Sequence, residues 1–178
     1  MGYPRLHSDS DGYFIGNHLW DLLIRRICMD YQKLKRDDDP ANLTHTTLIE
    51  FARGKEHGGW RQAFSQLTPE VLEYAAILYN QVSYAESLRK NRQRFNPDQP
   101  DSILQHGLSE EKMDRLYKES DWDGVTAGQP DVLMIKGIPV PYVIFENEDD
   151  VTTPGGEPLG RRLEEALGQL WEKYQPRF

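Results

Sequence analysis

Two apolar runs joined by a short turn constrain this chain more than anything else in it. They are Val132-Leu133-Met134-Ile135 and Val140-Pro141-Tyr142-Val143-Ile144-Phe145, with Lys136-Gly137-Ile138-Pro139 between them. A strand with one wet face alternates apolar and polar side chains, because successive residues point to opposite faces. These runs are apolar at consecutive positions, so both strands are expected to be covered on both faces. The pair therefore reads as a hairpin placed centrally in a sheet with helices packed on it, an α/β or α+β arrangement.

The rest of the chain supplies the helices. Ile15, Leu19, Leu22, Leu23, Ile27 and Tyr31 recur at helical spacing and predict a helix over about 15–36, with Asn17 as its start signal. A shorter helix is expected over 46–53, stopped by Gly54. Thr68-Pro69-Glu70 opens a long one through Leu72, Ala75, Ala76, Tyr79, Val82 and Leu88 toward Phe95. Asn96-Pro97-Asp98-Gln99-Pro100-Asp101 reads as a linker, since two prolines among turn formers stop a helix. The expected organisation is a helical region over residues 1–105 and an α/β core over 106–178. In the core, Ser109-Glu110-Glu111-Lys112 opens a short helix to about Glu119, and a final helix runs from Leu159 to Tyr174. The first dozen residues read as an irregular entry segment.

Carboxylates gather at the ends of the hairpin. Asp131 precedes the first run, and Glu146-Asn147-Glu148 follows the second. Residues two apart on a strand share a face, so Glu146 and Glu148 project the same way, and Asp131 begins the neighbouring strand. Three converging carboxylates repel one another unless a cation sits among them, and a hard divalent ion such as Mg²⁺ or Mn²⁺ suits oxygen ligands. The competing reading is structural: Pro-Asp as a simple turn, and Glu-Asn-Glu-Asp-Asp as a solvated loop.

Charge distribution bears on the choice. Residues 1 to 95 carry 13 Lys and Arg against 12 Asp and Glu, a net of +1, while 96 to 178 carry 8 against 17, a net of −9. The acid excess thus lies with the carboxylate cluster, and basic residues elsewhere form clumps. Such asymmetry is compatible with a metal site beside a phosphate-contacting surface. Arg89, Lys90, Arg92 and Arg94 form one basic helix end, with Lys33, Lys35 and Arg36 as a second set. Either could contact nucleic-acid phosphates, or simply complement a helix dipole.

The hairpin, Pro130-Asp131 and Glu146-Asn147-Glu148, with a helix bearing Glu110, Glu111 and Glu119 before them and a helix after, resemble the PD-(D/E)xK nuclease superfamily. Residues 109 to 178 carry the resemblance. Glu148 stands where that superfamily usually has lysine, the Glu-x-Glu variant, with Lys136 and Lys118 as candidate substitutes. The resemblance implies a small restriction-endonuclease-like mixed sheet flanked by helices and Mg²⁺-dependent hydrolysis of phosphodiester bonds. Asp131, Glu146 and the backbone carbonyl of Asn147 would hold the metal, and Glu148 would orient or deprotonate water. It also implies a nucleic-acid partner, DNA in the first instance, contacted by Arg89, Lys90, Arg92 and Arg94. The alternative, from a different class, is a non-catalytic protein-interaction module with a degenerate nuclease-like core. A second copy of the chain is a further candidate partner, since an incomplete sheet and an apolar last helix invite dimerisation.

Other features exclude more than they suggest. The one cysteine, Cys28, cannot form an internal disulfide and reads as core filler. The five histidines have no metal-ligand spacing, and His57, in a Gly-rich turn, reads as a surface residue. Asn42-Leu43-Thr44 matches a glycosylation sequon. With no signal segment and no apolar run near 18 residues, a cytoplasmic protein with no membrane span is expected.

Overall fold

The hairpin forms where the apolar runs place it. In the computed structural model, which describes residues 5–10, 12–37, 45–99, 102 and 107–174, β2 (Val132–Ile135) and β3 (Ile138–Glu146) pair antiparallel, Leu133 opposite Val140 and Ile135 opposite Ile138. The loop is tighter than the four-residue turn expected: only Lys136 and Gly137 lie outside the strands, at φ 52° and 79°. Two successive positive φ angles are the signature of the type I′ turn, whose twist matches that of the strands.

The third strand comes from an unexpected place. Instead of one long helix from Pro69 to Phe95, the chain forms α3 (Pro69–Leu72), β1 (Ile77–Gln81) and α4 (Tyr84–Arg94). β1 pairs parallel with β3, Ile77 opposite Tyr142 and Gln81 opposite Glu146, which gives the strand order β1-β3-β2. Ile77, Leu78 and Tyr79 favour a pleated, half-buried environment, and the exposed edge of β3 provides it. The stop signal was legible: Ser83 Oγ accepts from Glu86 N at 3.1 Å, and Ser-x-x-Glu marks a helix start within the supposed helix. β3 is accordingly the central strand, while β2 is an edge strand rather than a central one. Ahead of β2 the chain forms a short helix, α6 (Trp122–Thr126).

The fold is α+β, as expected. Its sheet draws β1 from before residue 105 and β2 and β3 from after it. One face, with Leu133, Ile135, Val140 and Tyr142, packs on α1 (His18–Asp37), α2 (Gly59–Gln66), α3 and α6. Trp122, 2% exposed, is the centre of that layer. It stacks flat on Tyr79, centroids 3.8 Å apart, and meets Trp60, Phe64 and Tyr142 edge-on. The opposite face, with Val143 and Phe145, packs on α7 (Gly156–Lys173) through Ala166 and Leu170. α5 (Glu110–Tyr117) starts where Ser109 predicts, its side chain accepting from Lys112 N.

Two helical expectations change in detail. α1 buries Ile24 and Cys28, while Ile15, Leu22 and Leu23 are exposed, so the inward stripe is rotated from the one the spacing suggests. Residues 46–53 form no helix: Ile49, Phe51 and Arg53 turn inward and Leu48, Glu50 and Ala52 outward, the two-residue period of extended chain. Among the described residues no helix is long and apolar enough to cross a membrane. The sequon at 42–44, His106 and residues 100–101 of the linker lie outside the described residues.

Candidate functional site

The three hairpin carboxylates are each exposed and each already engaged. Asp131, at φ 68°, lies opposite Tyr142, whose N–H donates to its carbonyl at 2.9 Å. Glu146 is four residues further along β3, about 13 Å at the rise of an extended chain. Asp131 Oδ1 pairs with Lys173 Nζ at the end of α7, at 2.7 Å. Glu146 Oε1 accepts from Gln81 Nε2 at 3.2 Å. Glu148 accepts from Ser83 N and Ser83 Oγ, both at 2.7 Å, and so fixes the residue that caps α4. Sheet register thus separates Asp131 from Glu146, and capping holds Glu148 on β1's exit.

Asn147 is 1% exposed, and its carbonyl, the expected metal ligand, accepts from Lys90 Nζ at 3.2 Å and Asp150 N at 3.3 Å. An ammonium therefore stands at the carbonyl where a cation was expected. Among the described residues no group of three or more His, Cys, Asp or Glu side chains could hold a metal ion. As arranged, these donors do not fit a divalent ion.

The basic end of α4 is tied down as well. Arg89 bonds Glu86 and Asp150, both at 2.5 Å, and Lys90 lies 3.2 Å from Asp150. Hydrogen bonds from Thr153, Arg89 and Lys90 hold the Asp150 carboxyl well below its ordinary range, and Arg89 lowers Glu86. Arg92 pairs with Glu110 at 2.5 Å, and Arg94 is exposed at the helix end. These cations staple α4 to the 147–153 loop and to α5. On α1, Lys33 and Arg36 pair with Asp30 and Asp37, and Lys35 lies 3.5 Å over the Tyr74 ring. Lys136 donates to Leu67 O at 2.7 Å and Lys118 pairs with Asp114, so neither stands beside Glu148. Asp114 also accepts from the Tyr84 hydroxyl, which that bond pushes up to about 12.

Sequence reasoning missed two features. The first is a buried polar network around the Gly54 to Gly59 turn. His57 is 5% exposed, not a surface residue: its Nδ1 lies 3.0 Å from Asn17 Oδ1, and its ring packs on Trp20. Arg53, equally buried, donates to His57 O at 2.6 Å and to Asp21 Oδ1 at 2.7 Å, and Asp21 also accepts from Gln62. Asp121 accepts from Trp60 N and Arg61 N and caps α2 across 60 residues of chain. Glycine is required at the turn because a Cβ on Gly54 would lie 1.5 Å from Leu116 O. The flanking glycines were a signal for close approach; the partners from α1 and 121 were not readable.

The second is an apolar flank. α7 packs across β3 and β1; at its end Lys173 reaches Asp131 beside β2, while the Tyr174 hydroxyl reaches Tyr74 O beside β1. Leu167, Trp171 and Tyr174 follow one another at helical spacing on the β1 side. Trp171 is 72% exposed, Leu167 49% and Leu78, on the β1 face toward α7, 39%. Among the described residues β1 pairs with β3 alone, leaving its outer edge open.

No family model, curated protein or solved structure matches the chain. The resemblance to PD-(D/E)xK nucleases rests on the residues quoted for it.

Proposed function

We propose that this chain is a non-catalytic protein-interaction module, and that its contact surface is the flank where the open edge of β1 meets α7. The observation that carries this reading is the exposure of Trp171 and Leu167 on α7 and of Leu78 on β1, a strand that among the described residues pairs on one edge alone. Large aromatics dominate binding energy when a partner desolvates them. The edge sequence Ile77-Leu78-Tyr79-Asn80-Gln81 has neither charge nor proline, the usual devices that keep an edge from pairing. A partner that adds a strand to β1 and lays an apolar side chain on Trp171 would satisfy both features.

The test places a photo-crosslinking residue at Leu167 and, as a control, at Glu111 on α5, in cells producing the full chain. A discrete adduct from 167 that disappears with Leu78→Lys is expected. Equal labelling from both positions would count against the flank.

A second reading, metal-dependent phosphodiester hydrolysis of nucleic acid, draws on the exposure of Asp131, Glu146 and Glu148 at β2, β3 and the turn that follows. It requires those residues to leave Lys173, Gln81 and Ser83. Cleavage of labelled DNA or RNA with Mg²⁺ or Mn²⁺, lost in both Asp131→Ala and Glu146→Ala, would favour it over the interaction module.

A further inference from the structure

The outer edge of β1 has a definite register. Asn147 N donates to Gln81 O at 2.9 Å, so Gln81, and by alternation Tyr79 and Ile77, turn their peptide groups toward β3. The N–H and C=O of Leu78 and Asn80 therefore point away from the sheet. An antiparallel neighbour that uses all of these groups must be centred on Tyr79.

The level of α7 along the strands is fixed as well. Arg162 donates to Glu146 O near the start of the helix, and Lys173 reaches Asp131, opposite Tyr142, at its end. The helix thus runs antiparallel to β3, and its middle, Leu167 and Gly168, stands level with Ile144, the residue opposite Tyr79. The centre of the open edge and the centre of the exposed stripe on α7 coincide.

We propose, resting on the reading of this flank as the contact surface, that its partner is a second copy of the chain related by a two-fold axis beside Tyr79. Leu78 then lies opposite Asn80 of the second copy, and each such pair exchanges two backbone hydrogen bonds. The same axis sets the two α7 helices antiparallel on one face of the joined sheet. Because α7 packs chiefly on β3 and partly on β1, strand spacing puts the two helix axes roughly 10–14 Å apart. Helices in direct contact lie about 8–10 Å apart, so the gap has room for the side chains that stand out of each copy, Leu167 and Trp171.

Charge favours the same arrangement. Gly160, Glu164, Leu167 and Trp171 follow one another at helical spacing, are all exposed, and include one charged residue, Glu164. Leu167 meets its own copy near the axis, whereas Glu164, about one turn away, meets Trp171 of the second copy, whose indole N–H can donate to it. No charge on the stripe is set against its like, so a closed two-fold contact forms although the chain as a whole carries a net charge of −8.

Sedimentation equilibrium of the purified full chain from micromolar to millimolar concentration, with amide hydrogen exchange resolved by residue, tests the pairing. A reversible dimer is expected, with exchange at Leu78 and Asn80 slowing as it forms. Asn80→Pro removes an outward N–H that the fold does not use, and Leu167→Glu sets two carboxylates together at the axis. Each should weaken the dimer more than about tenfold and leave the urea midpoint near that of wild type. A chain monomeric at every concentration, or a dimer indifferent to both variants, would overturn the proposal. The photo-adduct from position 167 separates this from the flank reading: twice the mass of the chain supports the second copy, and any other mass overturns it while keeping the flank. A monomer that gives no adduct overturns both.

Discussion

One sheet is finished in two ways on its two faces. Against Val140, Tyr142 and Leu133, four helices close around Trp122, and five aromatic rings lock the layer. Against Val143 and Phe145 the described residues place one helix, α7, seated on Ala166 and Leu170, with Met134 and Leu78 left exposed at either side. The lesson is that an apolar run is buried by its position in the sheet. β3, the central strand, is buried on both faces from Val140 to Val143 and opens at Ile144, whereas β2, equally apolar, is an edge strand with Met134 open.

The sharpest way to break the comparison is to truncate each face at its centre. Trp122→Ala should cost about 3–5 kcal/mol, since it removes a fully buried ring and its stacking partner's support. Leu170→Ala should cost about 2–3 kcal/mol, because a one-helix layer can collapse or hydrate more readily. Urea unfolding of both variants checks the order. Equal losses would mean that α7 is as integral as the aromatic layer.

The same contrast explains what the sequence made legible. The β2–β3 hairpin, α5 and α7 depend on local pattern, turn chemistry and caps, and each was readable within about twenty residues. β1 was not, because Ile77 to Gln81 has apolar spacing that suits a helix as well as a strand, and only the edge of β3, some 65 positions later, decides between them. The carboxylates were legible as a cluster in sequence but not as three separate anchors. Asp131 answers to Lys173, and Glu148 to Ser83, through contacts no spacing rule contains. His57 was misread for the same reason: a Gly-rich turn resembles a surface loop until Asn17, Trp20 and Arg53 close over it.

That buried histidine marks the four-helix side by its pH dependence. Burial lowers the His57 pKa from its ordinary 6.5, outweighing Glu56, which raises it, while Arg53 and Arg115 lower it further. A group held below its unfolded value stabilises the fold above that value and loses the contribution as pH falls through the folded one. Melting temperature should therefore be level above pH 6.5 and decline between there and the carboxylate range. His57→Gln should flatten that decline. A decline unchanged in the variant would assign it to other groups.

At the sheet end shared by both faces, Ser83→Ala should cost about 1 kcal/mol, the usual loss for an N-cap hydroxyl. It also releases one of the two bonds that hold Glu148. If Glu148 is a cap rather than a ligand, calorimetry will detect no Mn²⁺ binding in wild type or in Ser83→Ala. Mn²⁺ binding that appears or strengthens in the variant would revive the metal reading.

The smallest expected effect on stability is at Trp171, and its smallness is the point. A side chain 72% exposed on α7 contributes little to the core, so Trp171→Ala should shift unfolding by no more than about 0.5 kcal/mol. Among the described residues its ring neighbour is Tyr174, centroids 5.9 Å apart, itself at the helix end. A large aromatic that stability does not need, beside an edge strand free of charge and proline, is placed for a surface contact. Trp171→Ala should therefore abolish the crosslinked adduct formed from position 167 while leaving the urea midpoint in place. Loss of both together would put Trp171 in the core of the α7 face, and the contrast between the two faces would shrink accordingly.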